Sequence, residues 1–328
     1  MKTALLMDPG TRKMVFNEKC LKRLENIGEV AVNQGGTDYE SVAQVIKGAD
    51  VLVTSWGNQP LDGKFLSLCP DVKLLVHAAG SVKPVVSEAL WKKGVRVTSC
   101  AGVLSMGVSE TALGFTIAAS KNFFALNDNL LAGGWAEGKE NIRELYDLTV
   151  GVVGGGWAGR HYIELLKAFD VDILLYDPFV TAEKAAQMGA EKAELEDLLK
   201  RSDIVSIHAP QIPETHHMFN AQTLSLMKKD AVLINTARGT IIDEAALYAH
   251  MKAGNLKYAC LDVYDPEPPA ADNPLRTLKN CIMTPHLAGL ANNGLKKIGQ
   301  HVCEEIESFL ASGALATEVT ESMLARMA

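Results

Sequence analysis

The apolar positions of this chain fall into short runs that alternate with helical stripes, and the alternation starts afresh near residue 148. In the first hundred residues, β-branched and aliphatic runs at Thr3–Met7, Asp50–Thr54, Lys73–His77 and Val95–Thr98 predict strands. Helical spacing lies between them, around Phe16–Ile27, Tyr39–Lys47 and Val85–Lys93. Strand and helix in alternation predict a parallel, doubly wound sheet. A longer stripe follows at Val108, Ala112, Phe115, Ala119, Phe123, Leu126 and Leu130. Its steps of three and four predict one helix of about six turns, closed by Gly133-Gly134. Such a helix is long enough to bridge two domains.

The second alternation is cleaner. Strands are predicted at Thr149–Val153, Asp172–Tyr176, Asp203–His208, Ala231–Asn235, Tyr258–Asp262 and Cys281–Thr284, with helical stretches between them. Six strands with helical crossovers match a dinucleotide-binding sheet. After Pro285, Leu295, Ile298, Val302, Ile306 and Phe309 mark a last amphipathic helix, whose spacing suits a return of the C-terminal segment to the first domain. The expected class is therefore α/β, with two doubly wound parallel-sheet domains. A flavodoxin-like substrate domain, residues 1–118 with 291–328, carries an inserted Rossmann NAD-binding domain, residues 119–290.

The length of 328 residues agrees with two domains, because single cores stop growing at roughly 250–300 residues. The net charge of −7 comes with no basic block, so nucleic acid and anionic membranes are poor partners. Six cysteines (Cys20, Cys69, Cys100, Cys260, Cys281 and Cys303) stand singly, without C-x-x-C or ligand-like spacing. Reduced, mostly buried thiols of a cytoplasmic protein are the expectation. The apolar run Ala4–Met7 is broken by Asp8, too early for a signal peptide. No uninterrupted apolar stretch approaches ~18 residues, so no membrane span is expected.

The strand TVGVV runs into Gly154-Gly155-Gly156-Trp157-Ala158-Gly159 and then into the helix-forming RHYIELLKAF. A bare G-x-G-x-x-G is weak evidence; placed between strand and helix it is what a phosphate-binding turn requires. Gly154 can make the tight turn, Gly156 lets the backbone approach a pyrophosphate, and Gly159 permits close helix–strand packing. The helix N-terminus offers N–H groups and a positive dipole end. Asp177 ends the next strand, eighteen residues after Gly159. A carboxylate there accepts from ribose hydroxyls and repels a 2′-phosphate, which favours NAD over NADP.

Three polar features close later strands: Arg238 after AVLINTA, Glu267 after LDVYDP, and His286 after NCIMTP. Each alone has an ordinary reading, as a surface ion-pair partner, a loop carboxylate between prolines and a turn histidine. Together they form the set that hydride chemistry on a 2-oxo acid needs. An arginine fork holds a carboxylate at two points, a histidine exchanges a proton with the C2 oxygen, and a carboxylate beside it favours the imidazolium.

Over residues 143–290 the chain resembles the D-isomer-specific 2-hydroxyacid dehydrogenase family, which includes D-lactate, D-3-phosphoglycerate and glycerate (hydroxypyruvate) dehydrogenases. The motifs that carry the resemblance are ELYDLTVGVVGGGWAGR, YDP, SIHAPQIPETHHMFN, LINTARGTIIDEAAL, LDVYDPEP and TPHLAG, in that order. The resemblance implies that Arg238 binds the substrate carboxylate, that Glu267 assists the histidine, and that His286 is the acid/base. It implies cofactor contacts at Trp157, Ala158, Asp177, Pro210, Thr236, Ala237, Arg238 and Asp262. It further implies two similar α/β domains with a cleft between them, and usually a homodimer; part of the Val108–Leu130 stripe is the expected subunit face.

The first domain departs from the family pattern. Where the family commonly has an arginine after the second predicted strand, this chain has Thr54-Ser55-Trp56-Gly57. The family's substrate loop G-x-G-x-D-N-I-D is replaced by Ala78-Ala79-Gly80-Ser81-Val82-Lys83-Pro84. Gly80 and Ser81 still fit a loop whose backbone N–H groups hold a carboxylate, while Lys83 is expected to face water. The missing arginine argues against a phosphorylated or second-carboxylate substrate, and Trp56 is the candidate wall of a roomier, apolar side-chain pocket.

Other chemistry-bearing residues have plainer readings. His216-His217 lacks further ligands at metal spacing, and no metal is expected. His208 ends a strand and is expected to pack or bond locally. Ser109-Glu110 has no nucleophile elbow around it. Glu304, Glu305 and Glu307 read as a solvated helix face. Two alternatives to a 2-hydroxyacid dehydrogenase stay open: an NAD-binding scaffold or corepressor without turnover, and a dehydrogenase of another small anion such as formate or phosphite. The intact Arg238, Glu267 and His286 weigh against the first, and the glutamate–histidine pair against the second.

Overall fold

The strand runs form two separate sheets in the computed structural model, which describes residues 1–327. The first belongs to a unit made of Met1–Leu104 and the segment from Leu290 onwards. Its parallel strands are β1 (Lys2–Leu5), β2 (Glu29–Val32), β3 (Val51–Thr54), β4 (Leu74–His77) and β5 (Arg96–Ser99), in the order β2-β1-β3-β4-β5. That is the flavodoxin-like order, whose switch point lies between β1 and β3.

Alternate side chains of these strands enter two cores. Leu5, Val51, Val53, Leu74 and Val76 pack with Val15, Leu24, Ile298, Val302 and Ile306, while Ala4, Leu52, Leu75 and Val97 pack with Val42, Ile46, Phe65 and Leu90. Burial on both faces is why the strands read as continuous apolar runs. β2 escaped the sequence reading because it is an edge strand: Glu29 is exposed and its neighbours are half-buried, so no apolar run marks it.

The second unit, Ser105–Gly289, holds β6 (Thr149–Val153), β7 (Asp172–Tyr176), β8 (Glu191–Lys192), β9 (Ile204–Ile207), β10 (Val232–Asn235), β11 (Tyr258–Leu261) and β12 (Cys281–Met283). All pair in parallel, in the order β8-β7-β6-β9-β10-β11-β12. This is the Rossmann order with one strand added, and the switch point lies between β6 and β9. Val150 and Val152 enter one core with Tyr162, Ile163 and Leu166, and Val153 enters the other with Leu198, Leu199 and Leu247.

Two expectations need correction. The stripe from Val108 to Leu130 is two helices, Ala101–Ser120 and Phe123–Leu131. Asn122 breaks it in the left-handed conformation, φ 56°, which Asn tolerates better than most residues. Its amide donates to the Gly138 carbonyl at 3.1 Å and accepts from the Tyr258 hydroxyl at 2.8 Å, so tertiary contacts outweigh the helical spacing. The first of these helices, Ala101–Ser120, is long and apolar enough, by length and composition alone, to cross a membrane. Its Ala112, Phe115 and Ala119 are core residues of the second unit.

Glu305, secondly, is not on a solvated face. It is 2% exposed, and its Oε1 accepts from the Ala316 and Thr317 N–H groups, both at 3.0 Å. The backbone donors come from the turn after the helix Lys296–Ser312, which helical periodicity does not report. Past that turn, β13 (Glu318–Val319) adds antiparallel to β5 in the first sheet.

Candidate active site

The glycine-rich turn joins β6 to the helix Trp157–Leu166. Gly154 has φ 103°, and a Cβ there would lie 2.7 Å from the Ala209 nitrogen. A Cβ on Gly159 would lie 1.9 Å from the Gly154 carbonyl oxygen, so both positions exclude any side chain. A Cβ on Gly156 would meet nothing within 4 Å, which leaves the backbone open to a ligand. Gly156 is also the helix N-cap and supplies no side-chain acceptor to the first turn. The first-turn N–H groups and the dipole's positive end are thus left for an anion. Trp157 is exposed and Ala158 half-buried beside it.

Asp177 follows β7 directly. Its Oδ2 accepts from the Gly155 N–H at 2.7 Å and its Oδ1 from the Phe179 N–H at 2.8 Å, which ties the carboxylate to the turn. Pro210, beyond β9, is half-buried and its carbonyl accepts from the Thr215 hydroxyl at 2.7 Å. Past β10, the Asn235 side chain bridges the Arg238 carbonyl (2.9 Å) and the Ala237 N–H (3.0 Å) and folds the strand end. Thr236 has a buried hydroxyl with no protein partner. Buried hydroxyls are rarely left unpaired, and a bound group supplying the partner at Thr236 fits the cofactor contact expected there. The open Gly156 backbone and the carboxylate at the tip of β7 fit NAD in the same way.

Gly239 makes the next approach possible, since a Cβ there would lie 2.0 Å from the Tyr264 carbonyl. The loop after β11 therefore runs against Gly239, the residue after Arg238. Burial lowers the Arg238 pKa and the charge of Glu267 raises it again. Arg238 Nη1 donates to the Ala237 carbonyl at 2.6 Å. Glu267 is held through Oε1 by the Tyr264 N–H at 3.0 Å, and its Oε2 meets His286 Nδ1 at 2.7 Å. Glu267 and His286 are thus brought together, and Arg238 follows the neighbouring strand, since β10 pairs with β11. With a carboxylate on Nδ1, that nitrogen carries a proton and Nε2 is left as the acceptor of the neutral ring.

His286 sits at φ 48°, a conformation that needs outside support. Its N–H donates to the carbonyls of Asp262 (2.9 Å) and Thr284 (3.1 Å). The fully buried Asp262 carboxylate accepts from Leu287 N–H (2.9 Å), Ala288 N–H (2.7 Å) and the Thr284 hydroxyl (2.6 Å). This residue, expected only as a cofactor contact, clamps the loop that carries His286. No sequence spacing could report a clamp made mostly to backbone N–H groups.

In the first unit, Trp56 follows β3 and is 41% exposed, while Gly80 and Ser81 follow β4 in a half-buried loop. β3 borders the switch point of that sheet and β4 lies beside it. Two further polar residues, unremarked by sequence reasoning, shape this edge: the Ser55 hydroxyl donates to the Ala78 carbonyl at 2.8 Å, and His77 Nδ1 meets the Thr54 hydroxyl at 2.9 Å.

His208 is buried, its Nε2 at 2.9 Å from the Ser206 hydroxyl and its ring against Tyr162, and burial pushes its pKa down to about 3. It is a neutral packing residue. His216 and His217 stack on each other, with ring centroids 4.0 Å apart.

The family model described as D-isomer specific 2-hydroxyacid dehydrogenase, NAD binding domain, matches residues 113–288. Over 93% of its length the chain is 37% identical to a D-3-phosphoglycerate dehydrogenase of Methanocaldococcus jannaschii, covering 57% of that protein. It is 30% identical to a glyoxylate reductase of Korarchaeum cryptofilum, over 89% of this chain and 90% of that protein. A solved phosphoglycerate oxidoreductase from Rhizobium etli, 23% identical, shares the fold with a TM-score of 0.84 over 98% of both chains. The chain spans about half the length of the D-3-phosphoglycerate dehydrogenases it matches. The residues matched by the family model hold the glycine-rich turn, Arg238, Glu267 and His286, and the chain belongs to the D-isomer-specific 2-hydroxyacid dehydrogenase family, with NAD as its cofactor.

Proposed function

We propose that this protein transfers a hydride reversibly between NAD and C2 of a small D-2-hydroxy or 2-oxo acid. The observation that carries the reading is the 2.7 Å contact of His286 Nδ1 with Glu267, with a half-buried Arg238 at the end of the neighbouring strand. Arg238 takes the substrate carboxylate on its fork and orients the C2 carbonyl. Bound NADH supplies the hydride. As the C2 oxygen gains charge, His286 Nε2 gives it a proton, and Glu267 steadies the imidazolium beforehand. In oxidation the same nitrogen takes the proton back. A scaffold without turnover has no use for this set, and formate oxidation has no hydroxyl proton to relay.

On the first unit, Gly80, Ser81 and Trp56 are our candidates for substrate contacts. The absence of an arginine among Thr54-Ser55-Trp56-Gly57 favours an unphosphorylated acid. The glyoxylate reductase of Korarchaeum cryptofilum, matched over nearly its whole length, agrees better with that than the phosphoglycerate enzymes do. For the assembly we propose a homodimer through the segment that exposes Phe123, Leu130, Leu131, Trp135 and Tyr146; a monomer mass in solution would refute it. The deciding assay is NADH oxidation at 340 nm against glyoxylate, hydroxypyruvate, pyruvate, branched and aromatic 2-oxo acids, and 3-phosphohydroxypyruvate. Turnover lost in His286→Ala, with NADH binding retained, is expected. Turnover that survives the substitution removes His286 from the acid/base role, and a strong preference for the phosphorylated acid overturns the substrate reading.

A further inference from the structure

The segment from Asp265 to Asn273 carries Glu267 and lies mostly in the open, with Asp265, Glu267, Pro268 and Asp272 exposed. Apolar packing therefore does little to fix it, and its hydrogen bonds decide where Glu267 stands. The residues that flank it are anchored. Tyr264 is buried, with its hydroxyl shared between the Leu261 and Thr284 carbonyls at 2.9 and 2.8 Å, and Leu275 is fully buried.

One carboxylate closes the segment. Glu244 stands in the first turn of the helix Glu244–Lys252 and is half-buried. Its Oε1 accepts from the Asp265 N–H at 3.0 Å and its Oε2 from Asn273 Nδ2 at 2.7 Å. The Asp265 N–H comes directly after Tyr264, whose own N–H holds Glu267 Oε1 at 3.0 Å. Asn273 in turn caps the short turn Pro274–Thr277, its Oδ1 accepting from the Leu275 N–H at 3.0 Å. From that turn Arg276 donates to the Pro269 and Ala270 carbonyls, at 3.1 and 3.0 Å. Glu244 thus grips the chain just before Glu267 and supports the turn that grips it just after. The remaining oxygen of Glu267 meets His286 Nδ1 at 2.7 Å, so a shift of this segment is a shift of the carboxylate against the imidazole.

We propose that Glu244 is a positioning residue for the proton transfer, acting through Glu267 to hold that carboxylate on His286 Nδ1. This rests on the dehydrogenase reading above. Substitutions divide its two contacts. Glu244→Ala removes both. Glu244→Gln keeps an oxygen for the Asp265 N–H and turns an NH₂ towards the Asn273 donor. Asn273 cannot answer by flipping its amide without taking its oxygen from Leu275. Asn273→Ser keeps a capping oxygen for the Leu275 N–H and withdraws the donor from Glu244.

The experiment is the single-turnover rate of NADH oxidation on the full chain with the best 2-oxo acid, with NADH affinity by fluorescence and a melting curve for each variant. Glu244→Ala is expected to slow the rate by about tenfold with NADH affinity unchanged, on the scale of one lost bond to a charged group. Glu244→Gln should fall between it and wild type. The deciding measurement is a double-mutant cycle: in a Glu267→Gln background, itself slow, Glu244→Ala should cost nothing further. Should Glu244→Ala fail to fold, Asn273→Ser takes its place in the cycle and should slow the rate in the same way. A folded variant with the wild-type rate overturns the inference. So does an equal loss in the Glu267→Gln background, which marks damage that does not pass through Glu267. If Glu267→Gln alone keeps the wild-type rate, the role of that carboxylate fails; if the wild-type protein reduces none of the acids, the dehydrogenase reading itself fails. Either result shows before any Glu244 variant is made and takes this inference with it.

Discussion

Asp262→Asn tests whether the loop carrying His286 is clamped by a carboxylate. The substitution preserves shape and puts an NH₂ where one oxygen stood. Three donors converge on the fully buried Asp262 side chain: Leu287 N–H, Ala288 N–H and Thr284 Oγ. In the best orientation the amide oxygen stays opposite Ala288, which is buried and has no water to replace it. The Thr284 hydroxyl can turn and accept from the NH₂. The Leu287 N–H then faces a donor, and the remaining bonds lose their charge assistance. One lost charge-assisted bond and two weakened ones cost roughly 2–4 kcal/mol, the lower end reflecting the cheaper burial of a neutral amide. For a unit the size of Ser105–Gly289 that lowers the melting temperature by about 4–16 °C. The assay is thermal unfolding of the ligand-free protein, followed by circular dichroism. A melting temperature within about 2 °C of wild type would refute the clamp. A deficit that shows only with NADH present would mean that the carboxylate acts on the cofactor instead.

Further outcomes follow from the same geometry. Arg238→Lys should lower kcat/KM by about a hundredfold, since one ammonium cannot reproduce a two-point fork on a carboxylate; near-normal kcat/KM across the 2-oxo acid panel would remove the carboxylate-binding role. Asp177→Ala should relax the preference for NADH over NADPH, measured as the ratio of the two kcat/KM values, and an unchanged ratio would move the discrimination elsewhere. His77 is held neutral with its pKa pushed down to about 4, while in the unfolded chain it protonates near 6.5. Between those values the unfolded state binds the extra proton, so stability falls as pH drops from about 6.5 towards 4; His77→Gln should blunt that fall in melting temperature, and an unaltered pH slope would count against a buried neutral ring.

Strands buried on both faces were legible because a parallel sheet covered by helices writes each strand as an apolar run. β1, β3, β4 and the central strands of the second sheet are of this kind. β2, with Glu29 in the open, and the two-residue β8 and β13 carry no such signal. The glycine turn was legible because the geometry there excludes side chains: Gly154 and Gly159 have backbone where a Cβ would go. Asn122 marks the opposite case. The stripe of apolar positions continues through it unbroken, and only the distant Gly138 and Tyr258, which its side chain reaches, explain why the helix stops.

The same division runs through the candidate site. Arg238, Glu267 and His286 could be proposed from sequence because their chemistry lives in side chains placed at strand ends, where open α/β sheets gather ligands. What holds them in register is written in backbone. Gly239 admits the Tyr264 carbonyl, Tyr264 N–H fixes Glu267, and Asp262 collects the N–H groups of Leu287 and Ala288. None of these bonds requires a particular residue type at its donor, so no motif announces them. The candidate loop of Gly80 and Ser81 is the extreme case: holding a carboxylate by backbone amides would ask of the sequence only small residues and a fixed path. His77, whose ring meets the Thr54 hydroxyl at the base of that loop, leaves no motif either.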